Sequence, residues 1–160
     1  MKHYFFDTSS LTKLFIVEPG TRHVRTIMRA AEAASPSAHV SLCDLAHPEA
    51  AAALRQVVER GEGGRRGISS AALKRALSEL AAALSTGSTF SLVDASAVIS
   101  DAADIAARRR VKGADAVHIA AARMVLETIK EGEEFWFVSS DLRQAAAARQ
   151  EGMPVLDPTT

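Results

Sequence analysis

The chain has 160 residues, 48% of them hydrophobic and 24% charged, enough to bury one core and too few for two ordinary domains, so one domain over 1–160 is expected. Lys and Arg number 19 and Asp and Glu number 19, so the zero formal net charge leaves any nucleic-acid contact to local sites. The single cysteine, Cys43, excludes an internal disulfide framework and a Cys-based zinc site, as suits a reducing compartment. No run approaches the ~18 apolar residues of a membrane span, and the opening MKHYFFDTSS turns polar too soon for a signal peptide. A cytoplasmic protein without a membrane partner is the expectation. Aromatics are only 5% and alanine is abundant, which predicts helices packed closely through small side chains.

His3–Phe6 reads as a buried strand running into Asp7-Thr8-Ser9-Ser10, a helix N-cap, and Leu11, Leu14 and Phe15 continue a helical spacing up to Pro19-Gly20. A second helix is expected over Thr21–Ala34, with Thr21 as its cap and Val24, Ile27 and Met28 on one face. His39–Leu42 fits a short strand and Leu45–Val58 a helix ending near Gly61. The run Gly61–Gly67 is too rich in glycine to be regular and reads as an exposed loop. Ser69-Ser70 caps a helix to about Leu84, with Leu73, Leu77, Leu80 and Leu84 along one stripe. Phe90–Val93 follows as a strand. Asp94–Arg110 and Ala114–Lys130 are helices separated by Lys112-Gly113, and Phe135–Val138 is the clearest strand. Ser139-Ser140-Asp141 leads into a last helix that stops at Gly152, ahead of a short strand at Pro154–Leu156. Strands alternating with helices imply an α/β fold with a mostly parallel sheet flanked by helices, because parallel pairing needs crossover connections. Ligands in such sheets bind beyond the carboxyl ends of the strands, where Asp7 and Asp141 fall.

Four acids stand out, and each has two readings. Asp7 and Asp141 are N-caps or catalytic groups, since a carboxylate after a strand satisfies helix amides and also faces the sheet edge. Glu49 begins an alanine run, either as a first-turn acid placed behind Pro48 or as part of a site. Asp44 competes with it, and at ~100° per residue the two point to different sides of one helix, so at most one joins a shared site. Asp115, among small and apolar residues in Gly-Ala-Asp-Ala-Val-His-Ile-Ala, is a first-turn acid or a charge that a metal partners. His118, at i+3 on the same helical face, reads as a packed, hydrogen-bonded residue without a catalytic role.

Asp7-Thr8-Ser9-Ser10-Leu11, Glu49 before alanines, Gly113-Ala114-Asp115-Ala116-Val117-His118-Ile119-Ala120, and Ser139-Ser140-Asp141 with Gly152-Met153-Pro154-Val155 together resemble PIN domains, above all VapC-type toxins. The resemblance spans nearly the whole chain. It implies a Rossmann-like sheet whose carboxyl edge gathers Asp7, Glu49, Asp115 and Asp141 around Mg²⁺ or Mn²⁺ to hydrolyse RNA phosphodiester bonds, leaving a 5′-phosphate and a 3′-hydroxyl. Hard divalent ions suit carboxylate oxygen, and clustered carboxylates repel one another unless a cation joins them. On this reading Asp7 and Asp115 contact metal, Glu49 and Asp141 complete the cluster, and Thr8 or Ser140 bonds a carboxylate or the substrate phosphate. The resemblance also implies a type II toxin with a VapB-type antitoxin and homodimerisation, with Leu14, Phe15 and the Leu73–Leu84 stripe as contact surfaces or plain core. Pro48 before Glu49, and Ser139-Ser140 where many relatives carry Thr or Asn, depart from the family pattern.

Arg65-Arg66 and Arg108-Arg109-Arg110 with Lys112 are candidates for phosphate contact, against solvated loop or helix-end arginines. Two rival functions remain: a non-catalytic PIN-like binding module whose acids are all caps, and a HAD-like phosphatase with Asp7 as nucleophile. The latter lacks a second aspartate two residues on, where Ser9 stands.

Overall fold

A computed structural model describes residues 1–62, 69–85 and 90–160. Strands β1 (Lys2–Phe6), β2 (Ala38–Cys43), β3 (Phe90–Val93), β4 (Glu134–Val138) and β5 (Val155–Leu156) form one sheet in the order β3-β2-β1-β4-β5. Every pairing is parallel. The α/β expectation holds, including the flanking helices α1 (Thr8–Thr12), α2 (Thr21–Ala31), α3 (Ala46–Glu62), α4 (Ser70–Ala83), α5 (Ile99–Arg108), α6 (Gly113–Leu126) and α7 (Leu142–Gln150).

Strand alternation sends neighbouring side chains to opposite faces and so divides the core in two. Phe5 joins Phe137, Val98, Ile105 and the buried face of α6 on one side, while Phe6 joins Leu11, Val24, Val40, Leu42, Leu54, Leu80 and Val138 on the other. The Phe5 and Phe137 rings stack across β1 and β4 at a centroid distance of 6.0 Å. In α6, Ala116, Ala120, Ala121 and Ala122 are buried, which lets the helix backbone approach the sheet closely, as the alanine bias predicts. Cys43 is buried, and desolvation pushes its thiol up to about 11, which leaves it protonated at neutral pH.

The boundaries move where local bonds override spacing. The first helix ends at Thr12, not near Pro19, because Leu14, Phe15 and Ile16 donate back to Leu11 and Thr12 in turns that coil the chain tightly. Thr21 does not cap α2. Gly20 takes that place at φ +90, and the Thr21 hydroxyl instead donates to the Ile16 carbonyl and accepts from Glu18 N–H. The stretch from Asp94 splits into a 3₁₀ turn, Ala95–Val98, capped by Asp94, and α5. Helix α3 starts at Ala46, so Pro48 is its third residue and its missing N–H is one that the first turn leaves without an intrahelical partner in any case. Helix α3 also takes in Gly61 and Glu62, while the remainder of the glycine-rich run, with Arg65 and Arg66, lies outside the described residues. Ser69 caps α4 as expected, accepting from Ala72 N–H. Among the described residues no helix is long and apolar enough to cross a membrane.

Candidate active site

Strand β1 lies between β2 and β4, so the chain runs outward to β3 on one side and, after crossing back, to β5 on the other. The crevice at such a reversal, beyond the strand ends, is where open parallel sheets bind ligands. The ends of β1 and β4 meet there, with Asp7 N–H donating to the Val138 carbonyl at 3.2 Å.

Asp7 is only 2% exposed, and its carboxylate is held by neutral donors. Ser10 N–H reaches Oδ1 at 2.8 Å, Ser139 Oγ reaches Oδ2 at 2.6 Å, and Ser9 Oγ lies 2.9 and 2.8 Å from the two oxygens. It is therefore the cap of α1, and it also lines a cavity of about 190 Å³ together with Thr8, Ser9, Glu49, Asp115, His118, Asp141 and Gln144. The cap reading and the site reading of this acid are both satisfied by one position.

The same duality recurs. Asp141 Oδ1 caps α7 through the N–H groups of Arg143 and Gln144, at 2.8 and 3.1 Å, while its exposed face borders the cavity. Asp115, in the first turn of α6, accepts from Lys112 N–H at 3.3 Å. Burial raises its pKa above the ordinary carboxylate value, and the negative charges of Asp141 and Glu49 push the same way. Glu49 Oε2 accepts from Thr8 Oγ1 and lies 2.7 Å from His118 Nε2. The His118 hydrogen bond is the main reason that the Glu49 pKa falls below its usual value, in spite of desolvation. Asp44 is elsewhere: it is exposed, and its Oδ1 accepts from Ala95 N–H at 2.9 Å, tying β2 to the turn after β3. Glu49, not Asp44, faces the cavity.

The four acids thus arrive from four elements at one cavity, yet they line its walls without converging on a point. Among the described residues no three Asp, Glu, His or Cys side chains stand close enough to form a ready metal-binding group. The donor chemistry nonetheless suits a hard divalent cation, because the lining offers carboxylate and hydroxyl oxygen, and the charges of Asp141 and Glu49, which add to the upward push that burial gives Asp115, are a repulsion that a cation relieves.

Three lining residues carry no role that sequence spacing alone assigns. His118 is buried as expected, but it anchors Glu49, and its i+3 relation to Asp115 is the available signal. Gln144 stands in the same relation to Asp141, and Ser9 fits the local side-chain bonding common after an Asp cap. Ser140 does not line the cavity. It sits behind Ser9, with its N–H and Oγ at 3.1 and 3.0 Å from Ser9 Oγ, and it accepts from the buried Lys13 ammonium at 3.0 Å. Lys13 is itself paired with Glu18 at 2.9 Å.

No family model matches the chain, and no curated protein matches it. Among solved structures, a chain of VapBC2 from Rickettsia felis bound to a DNA fragment from their promoter superposes with a TM-score of 0.58 at 9% identity, covering 96% of this chain and 97% of that one. A chain of VapBC-1 from nontypeable Haemophilus influenzae gives 0.56 at 10% identity, covering 99% of each. The chain has a PIN-like fold. At this identity the likeness speaks for architecture alone, and the end-to-end coverage means that the sheet and its flanking helices are shared as a whole. Within a PIN-like fold the cavity holding Asp7, Glu49, Asp115 and Asp141 lies at the carboxyl rim of the sheet, as the sequence resemblance implies.

Proposed function

We propose that the protein is a Mg²⁺- or Mn²⁺-dependent endoribonuclease and the toxin of a type II toxin–antitoxin pair. The observation that carries this reading is the gathering of Asp7, Glu49, Asp115 and Asp141, far apart in sequence, around one cavity at the sheet's reversal point. The matches to VapBC chains support the toxin role and a VapB-type antitoxin as partner, either with a homodimer or in a larger assembly with the antitoxin.

Asp7 and Asp115 would hold the ion, with Glu49 and Asp141 completing its surroundings. When bound, a hard divalent ion neutralises charge on the phosphodiester and acidifies a water for in-line attack. The chain's own residues supply orientation. Ser9, Ser10 and Ser139 fix the Asp7 carboxylate by donating to it, so that its plane is set before any ligand arrives. Thr8 and His118 do the same for Glu49, and Thr8 Oγ1 also lies 3.2 Å from His118 Nε2, where it is available to a substrate phosphate if Glu49 turns toward an ion.

The test is cleavage of RNA by the purified protein with Mg²⁺ or Mn²⁺, its arrest by EDTA, and its loss in Asp115→Ala with the fold intact by circular dichroism. Cleavage that survives this substitution overturns the reading. The rival module, in which the acids serve only as caps, predicts no Mn²⁺ binding and no cleavage; a HAD-like phosphatase predicts phosphate release from monoesters that depends on Asp7.

A further inference from the structure

A cavity walled by carboxylates repels the polyanion it is meant to cut, and the cations that offset this must not already be neutralised. Three of the arginines are taken up at the far end of α7. Arg108 and Arg109 bind Glu151 at 2.8 and 2.7 Å, and Arg123 reaches the same carboxylate at 3.7 Å. Arg110 is different: it is exposed, and its guanidinium has no hydrogen-bond or ion-pair partner among the described residues. Arg143, exposed in the first turn of α7, is equally free among them. The two line one cavity of about 260 Å³, whose remaining walls are Val111, Ala146, Ala147 and Gln150.

Helix α7 joins this cavity to the acidic one. Asp141 and Gln144 border the acidic side, and Arg143, Ala146, Ala147 and Gln150 border the other. The Arg143 N–H donates to Asp141 Oδ1 at 2.8 Å, so both cavities share a single helical turn. Arg110 stands on the short link that leads from α5 into α6 and Asp115. We infer that Arg110 and Arg143 form a phosphate-binding groove, which grips the RNA backbone beside the linkage to be cut. This rests on the nuclease reading. Paired guanidinium groups match phosphate oxygens in fork geometry, and the methyl-lined floor of Val111, Ala146 and Ala147 accepts the carbon face of a ribose. A polymer with phosphates on either side of the reacting one fits this adjacency; an acidic peptide has no chemical reason to lie along the turn that carries Asp141.

The experiment measures the full chain binding a short fluorescein-labelled single-stranded RNA of mixed sequence by anisotropy, in EDTA and over a range of salt, so that no cleavage enters. We expect Arg110→Ala and Arg143→Ala each to weaken binding several-fold, and the double variant to lower the log–log salt slope by about 1.4, at roughly 0.7 for each phosphate that is no longer neutralised. Mn²⁺ binding by calorimetry is expected to be unchanged. Both side chains are exposed, so the melting temperature serves as the folding check, and Arg110→Lys with Arg143→Lys should retain most of the slope. An unchanged affinity and slope in the double alanine variant overturns the groove, as does a double variant that binds an acidic peptide less well but RNA as before. If the slope falls but the wild-type protein cleaves nothing with Mn²⁺, the groove stands and the nuclease reading falls.

Discussion

Two clusters of charge lie at opposite ends of α7, and they are built on opposite plans. At its C-terminal end the Glu151 carboxylate, 5% exposed, collects Arg108, Arg109 and Arg123, and Arg109 also donates to the Gln150 carbonyl. At its N-terminal end Asp141 joins Asp7, Glu49 and Asp115 around a cavity, where the donors bonded to the acids are backbone amides, hydroxyls and one histidine. The first cluster is closed: cations and anion meet, and the Glu151 pKa is held down to about 2, chiefly by the Arg108 bond. The second holds its carboxylates mainly through hydroxyls and backbone amides, and among the described residues no lysine or arginine is ion-paired with any of the four, which is expensive for stability and useful for binding. The difference separates a charge cluster that fastens α5 to the end of α7 from one that is poised for a ligand.

The largest expected effect breaks the open cluster. Asp7→Asn is isosteric and keeps an acceptor for Ser10 N–H, so the fold should persist while Mn²⁺-dependent RNA cleavage falls by at least about 100-fold, read from single-turnover rates. Equal rates in the two proteins would return Asp7 to the status of a cap alone.

Adding the missing cation should close the cluster. At about 100 times its dissociation constant, Mn²⁺ should stabilise the protein by about 2.7 kcal/mol, seen as a rise in melting temperature that EDTA reverses. Asp115→Asn should abolish most of that rise, and, by relieving repulsion from Asp141 and Glu49, should leave the metal-free protein no less stable.

Glu151→Gln opens the closed cluster. We expect a loss of about 2 kcal/mol at neutral pH in denaturant melts, with the Mn²⁺ response retained. The Glu151 pKa is depressed in the folded state, so its stabilisation is complete above the ordinary glutamate value near 4.5 and drains away as pH falls toward about 2. The gap between wild type and variant should therefore shrink across that window. A gap independent of pH would mean that the carboxylate charge is not what binds the three arginines.

The smallest effect concerns orientation within the open cluster. Ser139→Ala removes the hydroxyl that donates to Asp7 Oδ2 and should cost about 1 kcal/mol. It should also weaken Mn²⁺ binding, measured by calorimetry, by about 10-fold. A stability loss without any change in Mn²⁺ affinity would make Ser139 a packing residue only.

The resemblance in sequence reaches the acids of the cavity and one of their supports, Thr8, which donates to Glu49, but it stops short of the others. Asp7, Asp115 and Asp141 are visible because each follows a strand or opens a helix, positions where local bonding rules apply. The bond between His118 and Glu49 is invisible, since the partners are 69 residues apart and meet only when α3 and α6 pack at the same rim of the sheet. Ser140 departs from expectation for a related reason. Its neighbours in sequence suggest a rim position, but the turn after β4 directs its hydroxyl to Ser9 and Lys13 instead. The arginine run shows the same limit: nothing in Arg108-Arg109-Arg110 says that two of them are spent on Glu151 and that the third has no partner among the described residues.

What the sequence determined by itself is the set of elements and the sheet type, because hydrophobic periodicity, caps and breakers act over a few residues and alternating strands and helices leave a parallel sheet as the ready solution. What only the tertiary structure decided is which charges are shared and which stand alone. That depends on distances between segments brought together by core packing, and a carboxylate's role changes from anchor to open site according to whether a guanidinium or a hydroxyl lies within about 3 Å of it.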